Sequence, residues 1–152
     1  MMSIKNVMLV DDNKIDLFVS QKVIERYDSN IRVVHFKNTL LALEYLKISL
    51  HKNNLNHFTR PNMLFLDINM SKCTGFEFLE RLGRLDFLET NNLKIYILSS
   101  SGNLKDINKV NMHPLCSGYI NKPLTMSKLQ GVIDINVDCA IKPNVLNEGC
   151  NT

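Results

Sequence analysis

Met63-Leu64-Phe65-Leu66-Asp67 is an apolar run of strand length that ends on a carboxylate and is followed by a loop-like segment, Ile68 to Gly75. Such a run, bounded by turn residues, reads as a strand buried on both faces of a sheet. In open α/β sheets ligands bind in the crevice beyond the carboxyl ends of the strands, so an acid placed there need not be buried with the strand. Asp67 is the first candidate for chemistry. Taken alone it is equally well explained as the first residue of a turn, so its partners must come from other strand ends.

On the N-terminal side, Val7-Met8-Leu9-Val10 is a second run of this kind and stops at Asp11-Asp12-Asn13. Helical spacing follows. Ile15, Phe18, Val19, Val23 and Tyr27 fall on one predicted stripe, with Lys14, Asp16, Gln21 and Glu25 interleaved. Asp12 or Asn13 can cap that helix. Ile31 to Phe36 reads as another strand, and Asn38 and Thr39 offer caps for a helix carrying Leu40, Leu41, Leu43, Leu46 and Leu50. His51 to Pro61 is polar, Asn-rich and expected to be an exposed loop.

On the C-terminal side, Gly75 precedes a third helix marked by Phe76, Phe78, Leu79 and Leu82. Leu93 to Leu98 predicts a fourth strand, which ends on Ser99-Ser100-Ser101-Gly102. The polar helix Leu104 to Met112 has a thin apolar face, mainly Leu104, Ile107 and Val110, and is expected to pack loosely. A short fifth strand, Gly118-Tyr119-Ile120, leads through Asn121-Lys122-Pro123 into a helix with Leu124, Leu129, Val132 and Ile133 on its buried stripe. Residues 1–138 thus read as one domain, and Cys139 to Thr152 as a polar tail without periodicity. Five repeats of strand then helix predict a parallel sheet covered by helices on both faces, joined by right-handed crossovers.

Composition agrees. The 152 residues are 45% hydrophobic and 22% charged, which suits one globular domain. No apolar stretch approaches the ~20 residues of a membrane helix, and Met1 to Lys5 has no apolar signal core, so a cytoplasmic protein is the expectation. Cys73, Cys116, Cys139 and Cys150 form no CxxC pair and read as free thiols. The function of Cys73 stays open. His35, His51, His57 and His113 share no metal-binding spacing. A net charge of +3 on scattered Lys and Arg residues gives no nucleic-acid-binding patch.

All carboxyl ends of a parallel sheet lie on one edge. Asp11 and Asp12, Asp67, Ser99 and Lys122 therefore converge there. Singly, each has a plain structural explanation; together they form a site. Clustered carboxylates raise one another's pKa values unless a cation sits among them, and an all-oxygen set with a phosphoryl oxygen suits Mg²⁺. The metal and Lys122 can offset phosphoryl charge while one carboxylate attacks phosphorus in line.

Val10-Asp11-Asp12, Asp67 with Gly75, Ser99 and Tyr119-Ile120-Asn121-Lys122-Pro123 together resemble the receiver domain of two-component response regulators, from about Lys5 to Ile135. The resemblance implies a flavodoxin-like sheet of strand order 2-1-3-4-5 and a single-domain, chemotaxis-type layout without a nucleic-acid-binding domain. It implies that Asp67 takes a phosphoryl group from a histidine kinase or phosphotransfer protein. Asp11, Asp12, Asp67 and the main-chain carbonyl of Asn69 hold Mg²⁺ in that picture, and Lys122 pairs with the phosphoryl oxygens. It further implies a cis Lys122-Pro123 bond, a switch in which Ser99 draws its loop inward and Tyr119 turns from solvent towards the sheet, and relay to a downstream protein. Phosphorylation-dependent dimerisation stays open.

The chain departs from the family pattern where Ser71 replaces the usual proline, Thr74 a frequent aspartate and Ser99 the commoner threonine. Asn69 and Ser101 occupy positions that tune phosphoryl lifetime in the family. Two other functions compete. An aspartyl-nucleophile phosphohydrolase commonly has an acid two residues after the nucleophile, where this chain has Asn69. A pseudo-receiver scaffold needs none of the acids.

Overall fold

The structure, a computed structural model, describes residues 4–56 and 59–138. His57 and the 139–152 segment, with Cys139 and Cys150, lie outside the described residues. The chain alternates strand and helix: β1 (Asn6–Val10), α1 (Lys14–Tyr27), β2 (Arg32–Phe36), α2 (Thr39–Ser49), β3 (Met63–Leu66), α3 (Gly75–Gly83), β4 (Lys94–Ser99), α4 (Leu104–Met112), β5 (Cys116–Asn121) and α5 (Met126–Asp138). The five strands form a parallel sheet of order β2-β1-β3-β4-β5, as the resemblance implied.

Strand alternation divides the core in two. Met8, Val10, Leu64, Leu66, Ile95 and Ile97 face α2, α3 and α4, where they meet Ala42, Leu46, Phe78, Leu79 and Val110. Val7, Leu9, Met63, Phe65, Tyr96 and Leu98 face the opposite way, onto Leu17 and Ile24 of α1 and Leu129 and Val132 of α5. Burial on both faces explains why the central strands read as unbroken apolar runs.

Helix starts follow capping chemistry. Asn13 accepts from the N–H groups of Ile15 and Asp16, and Asn38 from those of Leu40 and Leu41. Thr74 and Glu77 form a capping box at α3. Thr74 thus provides locally what an aspartate at that position would, a side-chain acceptor for the first turn.

Three expectations need correction. The α1 stripe lies elsewhere: Ile15 and Phe18 are exposed, while Leu17, Ser20 and Ile24 are buried. On α2, Leu40 and Leu41 are likewise exposed, and Thr39, Ala42 and Ser49 join Leu43 and Leu46 inside. In both helices small residues share the inward face with leucine or isoleucine, and a purely hydrophobic pattern passes over them. Strand β5 runs from Cys116 to Asn121, longer than Gly118 to Ile120, because parallel pairing with β4 reaches Ser99 opposite Asn121.

The segment after α2 is polar and yet anchored. His51 bridges Leu88, Lys52 N–H donates to the Phe87 carbonyl at 3.0 Å, and the Arg60 guanidinium donates to the carbonyls of His51 (3.0 Å) and Asn54 (2.9 Å). α4 buries Val110 and packs Ile107 against the core, but Leu104, expected on its apolar face, is 73% exposed, and Met112 is 84% exposed.

Candidate functional site

The strand ends place the site residues by extending the ladder one bond further. Asp11 N–H donates to the Phe36 carbonyl (3.1 Å), Asp67 N–H to that of Val10 (3.0 Å) and Lys122 N–H to that of Ser99 (2.9 Å). Each residue just past a strand is thereby fixed against a neighbouring strand, and its side chain projects at the carboxyl edge. The expected convergence of Asp11, Asp12, Asp67, Ser99 and Lys122 is present.

Carboxylate oxygens of Asp11, Asp12 and Asp67 lie within 4.8 Å of one another. Asp11 and Asp67 are buried and Asp12 is exposed. Main-chain donors orient all three: Asn13 N–H to Asp11 at 2.9 Å, Ser71 N–H to Asp12 at 3.1 Å, and Asn69 N–H to Asp67 at 3.3 Å. The contact from Ser71 shows what a residue other than proline permits there, since proline has no N–H to give.

Lys122 reaches into this cluster. Its Nζ lies 2.6 Å from Asp11, 2.9 Å from Asp16 and 3.5 Å from Asp67. Burial alone favours the neutral amine, but contacts with Asp11 and Asp16, together with the charges of Asp11 and Asp67, outweigh it and hold the ammonium well above the ordinary lysine value. Asp67 moves the other way from a paired acid. Burial raises its pKa; Lys122 opposes that, the charge of Asp11 adds to it, and Asn69 N–H opposes it again, leaving the carboxyl above the ordinary aspartate value. The distances explain the asymmetry, because the two short contacts of the lysine go to Asp11 and Asp16 and leave Asp67 the least compensated.

Ser99 is fully buried, and its Oγ accepts from Ser101 N–H at 3.2 Å. Tyr119 is buried with its ring inward, and its hydroxyl donates to the Ser101 carbonyl. In this conformation the tyrosine has already left solvent. Ser101 Oγ donates in turn to Asp106 of α4 at 3.1 Å, so the β4–α4 loop is tied to both Tyr119 and α4. Burial raises the Tyr119 pKa, with the hydrogen bond at Ser99 opposing and the charges of Asp106 and Asp67 adding. The Lys122-Pro123 peptide is cis.

Sequence reading missed two contributors. Asp16 was placed among the polar residues interleaved along α1. The available signal was topological: a first-turn acid on a helix that follows β1 starts at the same sheet edge where β1 ends. Lys128 is buried on α5 and donates to the carbonyls of Asn121 (2.7 Å) and Pro123 (3.0 Å), bracing the turn that carries Lys122. A single lysine inside an otherwise apolar helical stripe was its only trace. Gly75, by contrast, stands out in the sequence. A Cβ there would sit 2.6 Å from the Asp67 carbonyl oxygen, so only glycine lets α3 begin this close to the end of β3.

A doubly wound parallel sheet with acids and a lysine gathered at its carboxyl edge defines a class, and sequence comparison identifies the family within it. Residues 7–134 match the family model of the response regulator receiver domain, and the chain belongs to that family. It is 32% identical over 133 residues to the two-component response regulator ARR17 of Arabidopsis thaliana, covering 82% of this chain and 80% of the relative. A two-component response regulator from Cytophaga hutchinsonii superposes with a TM-score of 0.76 at 24% identity, over 90% of this chain and 99% of that one. The phosphorylated cyanobacterial phytochrome response regulator RcpA gives a TM-score of 0.68 at 27% identity, over 93% and 99% of the two chains. No helix among the described residues is long and apolar enough to cross a membrane.

Proposed function

We propose that this receiver domain is a phosphorylation-switched signalling module in which Asp67 accepts a phosphoryl group from a histidine kinase or phosphotransfer protein. The observation that carries the reading is the shared edge, where carboxylate oxygens of Asp11, Asp12 and Asp67 lie within 4.8 Å of one another and Lys122 Nζ lies 2.6 Å from Asp11 and 3.5 Å from Asp67. The donor set fits a hard divalent ion: Asp11, Asp12 and Asp67 offer only oxygens, and with the Asn69 main-chain carbonyl and waters they would hold Mg²⁺. Bound there, the ion supplies positive charge that neutralises phosphoryl oxygens during transfer.

The residues of the chain do the rest. An Asp67 carboxylate oxygen forms the bond to phosphorus as the phosphorus–nitrogen bond of the donor phosphohistidine breaks, and the imidazole leaves. Lys122 pairs with the negative oxygens of the arriving group. The Ser99 hydroxyl turns from its local contact to donate to a phosphoryl oxygen, pulling on the loop that Tyr119 and Asp106 hold, and α4 reports the shift to a partner protein. Catalysis extends no further than the domain's own phosphorylation and dephosphorylation. Asn69, which offers no carboxyl for general-acid work, supports a signalling role over a phosphohydrolase.

Incubation with Mg²⁺ and acetyl phosphate, read by intact-protein mass spectrometry, tests the proposal. One added phosphoryl group is expected, and none in Asp67→Asn. No mass gain with acetyl phosphate or with a phosphorylated kinase or phosphotransfer protein sinks it. Steady turnover of an external phosphate ester establishes the hydrolase instead.

A further inference from the structure

Lys122 divides its ammonium among three carboxylates, and one of them stands apart. Asp11 and Asp67 belong to the cluster able to hold a cation; Asp16 does not. A lysine and a divalent ion therefore compete for Asp11 and Asp67, since contact with one reduces the charge either acid offers to the other. Asp16, 2.9 Å from Nζ on the far side of that competition, gives the lysine another partner.

We propose that Asp16 is a positioning residue of the phosphorylation site: it draws Lys122 off Asp11 so that Mg²⁺ can enter, and keeps the ammonium tethered at the sheet edge while the metal occupies the cluster. The inference rests on the metal-dependent phosphoacceptor reading above. Three features of Asp16 suit it to the task. Its backbone is fixed in the first turn of α1, where its N–H donates to Asn13 Oδ1 at 3.2 Å. A carboxylate is favoured at that helix end independently of Lys122. Its side chain is 37% exposed against 7% for Asp11 and 7% for Asp67, so water can solvate it when the lysine moves towards a phosphoryl group. Without such a tether, the flexible four-carbon stem of Lys122 must be ordered by the very acids the metal needs.

Calorimetric titration of the full chain with MgCl₂ separates this role from simple charge attraction. Asp16→Asn is expected to weaken Mg²⁺ binding about fivefold, the effect of losing one well-formed, partly exposed ion pair. Asp16→Glu, which keeps a carboxylate in reach, restores most of the affinity. In a Lys122→Met background the same Asp16→Asn change shifts affinity by less than about twofold, because its effect travels through the lysine. Lys122→Gln serves as a second background should the methionine variant fail to fold, with thermal denaturation confirming the fold of each variant. Equal weakening with and without the lysine overturns the proposal, since Asp16 then acts on the metal only through space. Unchanged binding in Asp16→Asn overturns it as well. If the unsubstituted protein binds no Mg²⁺, the phosphoacceptor reading falls and takes this inference with it, whereas binding with an additive cycle removes the inference alone.

Discussion

The ends of β1 and β3 and the helix α4 are built in opposite ways. At the strand ends, the N–H groups of Asp11 and Asp67 donate to backbone carbonyls on neighbouring strands, and side-chain contacts to Lys122 and close packing beneath Gly75 hold them further. At α4, Val110 and the half-buried Ile107 reach the core, two large apolar side chains stand in solvent, and hydrogen bonds of Ser101 with Tyr119 and Asp106 tie the preceding loop to the sheet and to the helix. On the proposed reading the strand ends do the chemistry and α4 reports it, and only the first of these is over-determined. Reacting groups need fixed geometry, whereas an element that must take two positions needs contacts that can be exchanged at small cost. If this contrast is real, substitutions should cost most at β3 and least near α4.

Gly75→Ala should have the largest effect. The added Cβ meets backbone on the Asp67 side at 2.6 Å and the Ile68 Cα at 3.0 Å, and neither can swing aside as a side-chain tip could. A loss of about 1–3 kcal/mol is expected, read as a lower urea midpoint with an unchanged slope. A loss under about 0.5 kcal/mol, the range of an ordinary surface change, would mean that the β3–α3 junction yields easily and that the contrast with α4 is wrong.

The second effect depends on pH. Because burial holds the Asp67 carboxyl above its ordinary value, the folded, metal-free chain keeps this proton more firmly than the unfolded chain does. The corresponding stability is fully present below the ordinary aspartate range and is lost as pH rises through the folded value. At neutral pH, without metal, the ionised Asp67 therefore costs stability, and Asp67→Asn should melt at a higher temperature than the unsubstituted protein. The difference should close as the pH falls below about 3, under the ordinary aspartate range, where the aspartate is protonated in both states. Parallel melting curves across that range would show that the charge of Asp67 is as well matched as those of its neighbours.

Much of this site was legible because parallel topology carries information that single residues lack. Once Val7 to Val10, Met63 to Leu66, Leu93 to Leu98 and Gly118 to Ile120 read as parallel strands, the residues at their carboxyl ends had to share an edge, and Asp11, Asp67, Ser99 and Lys122 do. The α1 face was misread for a physical reason: apolar residues lie on more than one side of that helix, and the buried face includes Ser20, which a hydrophobic pattern discounts. The contact between Asp16 and Lys122 joins positions 106 residues apart, beyond the reach of any local periodicity. Lys128 was hidden in the opposite sense, as a charged residue inside whose ammonium is matched by main-chain carbonyls of a turn that only the folded chain creates.

The smallest expected effect tests the other half of the contrast. Tyr119→Phe keeps the buried ring and removes the hydroxyl that donates to the Ser101 carbonyl. Its global cost should be about 0.5–1.5 kcal/mol, the net worth of one hydrogen bond. Where that cost appears matters more than its size. If the β4–α4 loop and α4 are held by few exchangeable contacts, amide hydrogen exchange should quicken across residues 100–112 and stay unchanged across residues 63–75, since the latter do not depend on the tyrosine hydroxyl. Faster exchange spread evenly over both segments would mean that the strand ends and α4 open as one cooperative unit. Ser99 could not then pull on α4 without disturbing Asp67, and the division between a fixed chemical edge and a movable reporting helix would have to be abandoned.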